Sequence, residues 1–177
     1  AIVNPELPQI TPSPTPSVSV ATGEIFDHGP IKIGENLLHP GPVSPQDLPE
    51  KIIIPSIAVD IGIKPAPLSR GGTWEIFDEV ASFGLGSAPP GQKGNTVIFA
   101  HAKRGLFAPL RNIKKDAPIY ILTPEGWYSY QVTEIKTVSP KQVEVLLPTE
   151  EETLTLYTCS GFADTKRLIV RAKRVTP

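Results

Sequence analysis

From Lys51 onward the sequence predicts an all-β domain, and three observations carry that expectation. Short runs rich in Ile, Val, Thr and Tyr recur along the chain, each bounded by Gly, Pro or Asp. Their regular spacing is that of a barrel or a sandwich. Only one stretch, Leu106–Ile113, places its apolar residues (Leu106, Phe107, Leu110 and Ile113) at helical spacing.

Taken in order, the first two predicted strands are Lys51–Ile54 and Ala58–Lys64, divided by Pro55 and Ser56, and the third is Thr73–Phe77, which follows a Gly-Gly pair. Thr96–Ala100 comes next and ends at His101. Beyond the helical stretch lie Ile119–Leu122 and Tyr128–Thr137, separated by a short segment containing Pro124 and Gly126. Gln142–Leu146 sits between Pro140 and Pro148, Thr153–Thr158 ends at Cys159, and Arg167–Arg174 closes the set.

The first 49 residues have a different composition. "PELPQITPSPTPSVSVATG" is rich in Pro, Ser and Thr with no periodic apolar face, so it cannot bury enough surface to offset its ordering entropy and is expected to act as an extended stalk. Between Glu24 and Glu50, Ile25, Phe26, Ile31, Ile33, Leu37 and Leu38 alternate with Gly and Pro, which suggests an irregular strap over the domain surface. The expected organisation is therefore a stalk and leader over 1–49, with the leader a candidate lid, and one folded domain over 50–177.

Bulk properties exclude several function classes. A formal net charge of −1 over 177 residues gives no global field for nucleic acid or an anionic bilayer. No run reaches the roughly 18 apolar residues of a membrane span. The sequence opens without Met and without a basic-then-apolar leader, so a signal or anchor is expected to lie outside these 177 residues. A single cysteine forms no internal disulfide. No glycine-rich phosphate loop, HExxH or CxxC is present, so no cofactor and no metal are expected.

Three residues at or beside predicted strand ends could do chemistry together: His101, Cys159 and Arg167. Singly, each has an ordinary structural explanation, and a lone Cys in a β-run is usually a small buried hydrophobe. Jointly they make a nucleophile site. A thiol is a weak nucleophile unless a base or cation stands beside it, and His101 is the one His of the predicted folded domain. An oxyanion formed by acyl transfer needs a donor, which an always-charged Arg supplies. Arg167 follows Cys159 by eight residues, and "SGFADTK" between them reads as a loop that returns the next strand antiparallel.

"TLYTC" followed by "RLIVRAKRV" closely resembles the TLxTC signature and following Arg-bearing strand of sortases, the cysteine transpeptidases of Gram-positive cell surfaces. "NTVIFAHAKRGLFAPLRNIKKDAPIYI" is similar to that family's catalytic-His segment, and "EKIIIPSIAVDIGIKP" and "GSAPPGQKGN" to its opening strands and the turn before the His strand. The resemblance spans about Glu50 to Val175. One departure is Ala100, where many members have Gly before the His.

The resemblance implies an eight-stranded sortase-type β-barrel with one or two short helices. It implies Cys159 as nucleophile, His101 as general acid/base and Arg167 as the oxyanion and substrate ligand. Thr158 would line the site, and the segment before Pro148 would read the signal through Val143, Val145 and Leu147, although core packing explains those three equally well. The implied partners are an LPxTG-like sorting signal and an amine acceptor, either a cell-wall precursor or a pilin lysine. The implied location is the extracellular face of the membrane or the cell wall. Glu150, Glu151 and Glu152 loosely resemble calcium ligands of some sortases, but a solvated turn explains them better. The leader carries "IFDHGP" in place of an Asp-Pro-aromatic lid motif, which suggests a class D, E or F member.

Two other readings compete. A papain-like hydrolase would place its Cys ahead of the His and on a helix, the reverse of the order here. A non-catalytic all-β surface module on a Pro-rich stalk fits the composition equally well, and thiol reactivity separates it from the enzyme.

Overall fold

The computed structural model describes residues 31–33, 38, 42–161 and 164–176. Its strands are β1 (Ile31–Lys32), β2 (Lys51–Ile54), β3 (Val59–Ala66), β4 (Thr73–Trp74), β5 (Ala81–Gly84), β6 (Asn95–Phe99), β7 (Pro118–Thr123), β8 (Gly126–Val138), β9 (Thr153–Ser160) and β10 (Lys166–Arg174). Eight of them close into a barrel in the order β10-β8-β7-β2-β3-β5-β6-β9, while β1 and β4 pair outside it as a two-stranded ribbon.

The parallel pairing of β6 with β9 positions the site. Phe99 lies beside Tyr157, so both strands finish at the same end of the barrel. Strand β10 runs antiparallel to β9 and therefore begins at that end, with Arg167 beside Cys159.

Alternation along these strands separates two buried layers. Ile98, Leu154, Leu156, Leu168, Val170 and Ala172 point into the barrel. Val97, Phe99, Tyr157 and Ile169 point outward yet are also buried, because Ile31, Ile33, Leu38, Trp74 and Leu146 pack over them. Burial on both faces explains why "TLTLYT" reads as an unbroken run of β-formers rather than a polar-apolar alternation.

Trp74 anchors the outer layer. Its ring stacks on Phe99 with centroids 5.6 Å apart, and its indole N–H donates to the Leu85 carbonyl at 2.9 Å. Burying each of these aromatic side chains is worth on the order of 2–3 kcal/mol. The fit leaves no room at Gly84, where an added Cβ would sit 2.5 Å from the indole. Gly84→Ala is therefore expected to lower unfolding stability by about 1–3 kcal/mol through overpacking, measured by denaturant titration; an unchanged midpoint would mean that the ribbon yields freely.

Three expectations from the sequence are revised. Gln142–Leu146 is not a strand but a 3₁₀ turn over Val143–Leu146. The adjacent residues Val145 and Leu146 are both buried, which a half-buried strand does not allow, and side chains of Asn95 and Arg171 hold the Val145 carbonyl in place of a ladder. The helical stretch shortens to a 3₁₀ turn over Ala108–Asn112 with Pro109 in its first turn, yet Leu106, Phe107, Leu110 and Ile113 are all buried as their spacing predicts. Only Thr73–Trp74 of the predicted third strand pairs, and Ala81–Gly84 is a barrel strand that the sequence did not reveal. Within the leader, Ile31, Ile33 and Leu38 pack into the outer layer as a strap would. The expected stalk and the lid candidates Phe26, Asp27 and His28 lie outside the described residues.

Candidate active site

Cys159, Tyr157 and Thr155 share the outer face of β9, and β10 places Arg167, Ile169 and Arg171 directly beside them in that order. On the other side, β6 places Phe99 beside Tyr157 and Val97 beside Thr155. Two residues past Phe99, beyond the end of β6, comes His101, at the same end of the barrel as Cys159. Cys159 and Arg167 thus stand side by side on neighbouring strands about 4.8 Å apart, with aromatic and aliphatic rows beneath them and His101 just past the end of β6.

Thr158 fixes that register. It points to the barrel interior, 2 % exposed, and its hydroxyl donates to the Ala100 carbonyl at 2.8 Å. The Ala100 N–H in turn donates to the Tyr157 carbonyl at 3.3 Å. Thr158 therefore ties the His-bearing segment to the Cys-bearing strand, a role its place in the sequence did not disclose.

The three side chains differ in environment. Cys159 is half-buried and borders two cavities, so it is not enclosed filler. Arg167 is 5 % exposed and donates through Nη1 to the carbonyls of Asp164 at 2.6 Å and Lys166 at 3.0 Å. These bonds hold a buried cation in one orientation and offset its desolvation. The His101 side chain is 29 % exposed, and its Nε2 lies 3.5 Å from Asp78 Oδ1. The N–H of Phe107 donates to the His101 carbonyl, so the following turn folds back and braces the histidine.

Asp78 was not among the residues singled out in the sequence. It stands in the segment between β4 and β5, and no motif links it to His101. Lys103 Nζ also lies 3.9 Å from its carboxylate, whose side chain is 85 % exposed, so solvent screens the pair. Asp78→Asn is expected to lower kcat/KM by about two- to fivefold, the range of an exposed ion pair; an unchanged value would show that the carboxylate does not orient the imidazole.

The larger cavity, about 470 Å³, is mostly apolar. Phe99, Tyr157 and Ile76 line it, with Val143 and the Ser139–Lys141 segment on one side and Ile31 and Lys32 of the ribbon on another; Cys159 and Arg167 complete it. Of the expected pocket residues, Thr158 and Val143 line it. Val145 is buried in the outer core layer, and Leu147 uses its carbonyl to accept from Asn95; neither lines this cavity. The 3₁₀ turn is the reason, since it directs successive side chains to different neighbours where a strand would alternate them.

Arg171, a second cation on β10, lies two rows from Arg167. It donates to the Val145 carbonyl at 3.0 Å and holds the 143–146 turn. Two residues of the acidic run are likewise committed elsewhere. Glu151 pairs with Lys173 at 2.6 Å, while Glu152 accepts from the Tyr130 hydroxyl at 2.8 Å and the Gly91 N–H at 2.9 Å. Burial and the neighbouring Glu152 carboxylate push the Tyr130 hydroxyl up, keeping it a donor. Among the described residues no cluster of three His, Cys, Asp or Glu could hold a metal.

A family model for the sortase domain matches residues 52–175. The chain belongs to the sortase family. It is 32 % identical over 126 residues to sortase A of Listeria monocytogenes, a match covering 67 % of this chain and 52 % of that protein. With sortase A of Streptococcus agalactiae the identity is 30 % over 135 residues, covering 69 % and 51 %. The chain thus spans about half the length of these relatives. Among solved structures, a lid mutant of sortase A from Corynebacterium diphtheriae aligns with a TM-score of 0.63 at 31 % identity, covering 73 % of this chain and 71 % of that one. The pilus-related sortase C of Group B Streptococcus aligns with a TM-score of 0.63 at 29 % identity, covering 76 % and 70 %. Relatives named sortase A and sortase C both appear, so the matches identify the family rather than a subclass. The all-β barrel expected from the sequence is the sortase fold.

Proposed function

We propose that this sortase is a cysteine transpeptidase that cuts an LPxTG-like sorting signal and joins the upstream protein to an amine. The observation that carries this reading is Arg167 beside Cys159 at the edge of an apolar cavity, with His101 following the strand that ends at the same end of the barrel.

The chemistry follows from these three residues. The Cys159 thiolate attacks the backbone carbonyl of the signal, and the developing oxyanion is stabilised by the Arg167 guanidinium. The scissile C–N bond breaks as His101 gives a proton to the leaving amine, leaving a thioester on Cys159. An acceptor amine then attacks the thioester. Its nitrogen loses a proton to His101, the C–S bond breaks and the thiolate is restored. Phe99, Tyr157, Val143 and Ile76 offer the Leu and Pro of the signal a dry surface, while Arg167 stands at the end where charge develops.

The partners on this reading are the sorting signal of a surface protein and a cell-wall or pilin amine, met at the outer face of a Gram-positive cell. Residues 1–49 serve as a stalk and leader. Class D, E or F remains our assignment from the leader motif.

A quenched LPxTG-type peptide with triglycine, followed by intact mass, tests the reading. A transient thioacyl adduct and amine-dependent ligation are expected. No adduct with any of a panel of signals, together with a thiol inert to alkylation in the folded protein, would return Cys159 to core filler. Removal of residues 1–29, which keeps β1, tests the lid: a rise in kcat/KM is expected if the leader covers the cavity, and an unchanged value would make it a stalk alone.

A further inference from the structure

Cys159 and Thr158 also border a second cavity of about 260 Å³, and its chemistry is different. Phe107, Ala108 and Arg111 form one wall, from the turn that follows His101. Ser160, Gly161 and Asp164, from the connection between β9 and β10, form the other.

A two-substrate acyl transfer needs two approaches to one sulfur. The acyl part of the donor must lie where Arg167 can reach its carbonyl oxygen, which is the apolar cavity. The leaving amine departs from the other side of that carbonyl. By microscopic reversibility the incoming amine arrives along the path by which the leaving amine left. The second cavity also reaches Cys159.

The charges at this cavity say which amine it fits. The Nε of Arg111 donates to the Ala108 carbonyl at 3.1 Å, which presses the stem against its own turn. No carboxylate of the described residues lies within ion-pair distance of its guanidinium. A guanidinium so placed is matched by a ligand carboxylate, bound through two N–H groups. Across the cavity, the backbone carbonyl of Asp164 accepts from Arg167, which pins that residue.

Resting on the transpeptidase reading, we infer that the second cavity is the acceptor site and that it selects an amine whose own carbon carries a carboxylate. Arg111 holds the carboxylate. The ammonium gives up one proton to solvent on entry. Its nitrogen then attacks the thioester carbonyl, His101 takes the second proton, the C–N bond forms and the C–S bond breaks to the Cys159 thiolate. The glycine amine released from an LPxTG-like signal has an amide where such an acceptor has a carboxylate. Arg111 therefore favours forward transfer over the return of the leaving group.

Glycine and glycinamide are the probes, because they differ only in that carboxylate. Each is added to the thioacyl enzyme, and ligated and hydrolysed products are counted by mass in the same reaction. The ratio of the two partitions is then compared between wild type and Arg111→Gln, which cancels the intrinsic difference between the amines. We expect Arg111→Gln to shift the ratio against glycine by about tenfold, the scale of one charge-assisted pair. Arg111→Lys, which keeps the charge, should retain most of the preference, and this separates recognition from damage to the turn. Equal ratios in wild type and Arg111→Gln would overturn the assignment while leaving the transpeptidase intact, and would place amine entry in the larger cavity. Failure of any thioacyl adduct to form would overturn both.

Discussion

Replacing Cys159 with Ala is expected to give a folded protein that forms no thioacyl adduct and turns over sorting peptide no faster than buffer. Removal of a nucleophile typically costs roughly 10⁴-fold or more, the largest effect of any single substitution here. The fold should survive, since the half-buried thiol sits at a cavity edge rather than in the closed core, and changes at such sites usually stay within about 1 kcal/mol. Intact mass after peptide incubation, with thermal unfolding alongside, reads both. A variant that loses stability by several kcal/mol as well as activity would mean that the thiol is packed filler. In wild type, alkylation of Cys159 in the native state should be fast and should slow when the sorting peptide is present.

Much of this site could be read in the sequence because β-structure turns linear position into a face. Cys159 ends a run of β-formers, His101 ends another and Arg167 opens a third, and only a sheet pairing those three strands makes the coincidence useful. The TLYTC signature supplied the pairing that periodicity could not. Resemblance likewise supplied the number of barrel strands, since spacing alone allowed a sandwich.

What escaped the sequence was set by tertiary contact. Ala81–Gly84 is a strand because it fills the gap between β3 and β6, although Ala, Ser and Gly are poor β-formers. Val143–Leu146 had the composition of a strand but lies between prolines, and its carbonyls are held by Asn95 and Arg171 from elsewhere in the chain. Asp78 reaches His101 across a loop with no fixed spacing. The ribbon of β1 and β4 walls the apolar cavity through Ile31 and Lys32, residues that belong to the leader by composition and to the site by geometry.

Arg167 carries the second large prediction. Its burial and its two bonds to backbone carbonyls allow two accounts, an oxyanion ligand or a clamp on the β9–β10 connection. Arg167→Ala should weaken both functions. The carbonyls of Asp164 and Lys166 lose a donor, worth about 1–2 kcal/mol of stability. Adduct formation should fall by roughly 10²- to 10³-fold, as on removal of an oxyanion donor. The fall should appear in kcat more than in KM, because the charge it meets exists only in the transition state. Arg167→Lys separates the accounts. It keeps the positive charge but replaces the fixed fork with one mobile ammonium, so a clamp would be lost while much of the electrostatic stabilisation persists. A lysine variant less stable than wild type but faster than Arg167→Ala by at least about tenfold would identify the charge as the catalytic element. If instead adduct formation in Arg167→Ala stays within about threefold of wild type at a temperature where both are folded, the guanidinium is a clamp and the oxyanion must be met by backbone N–H groups.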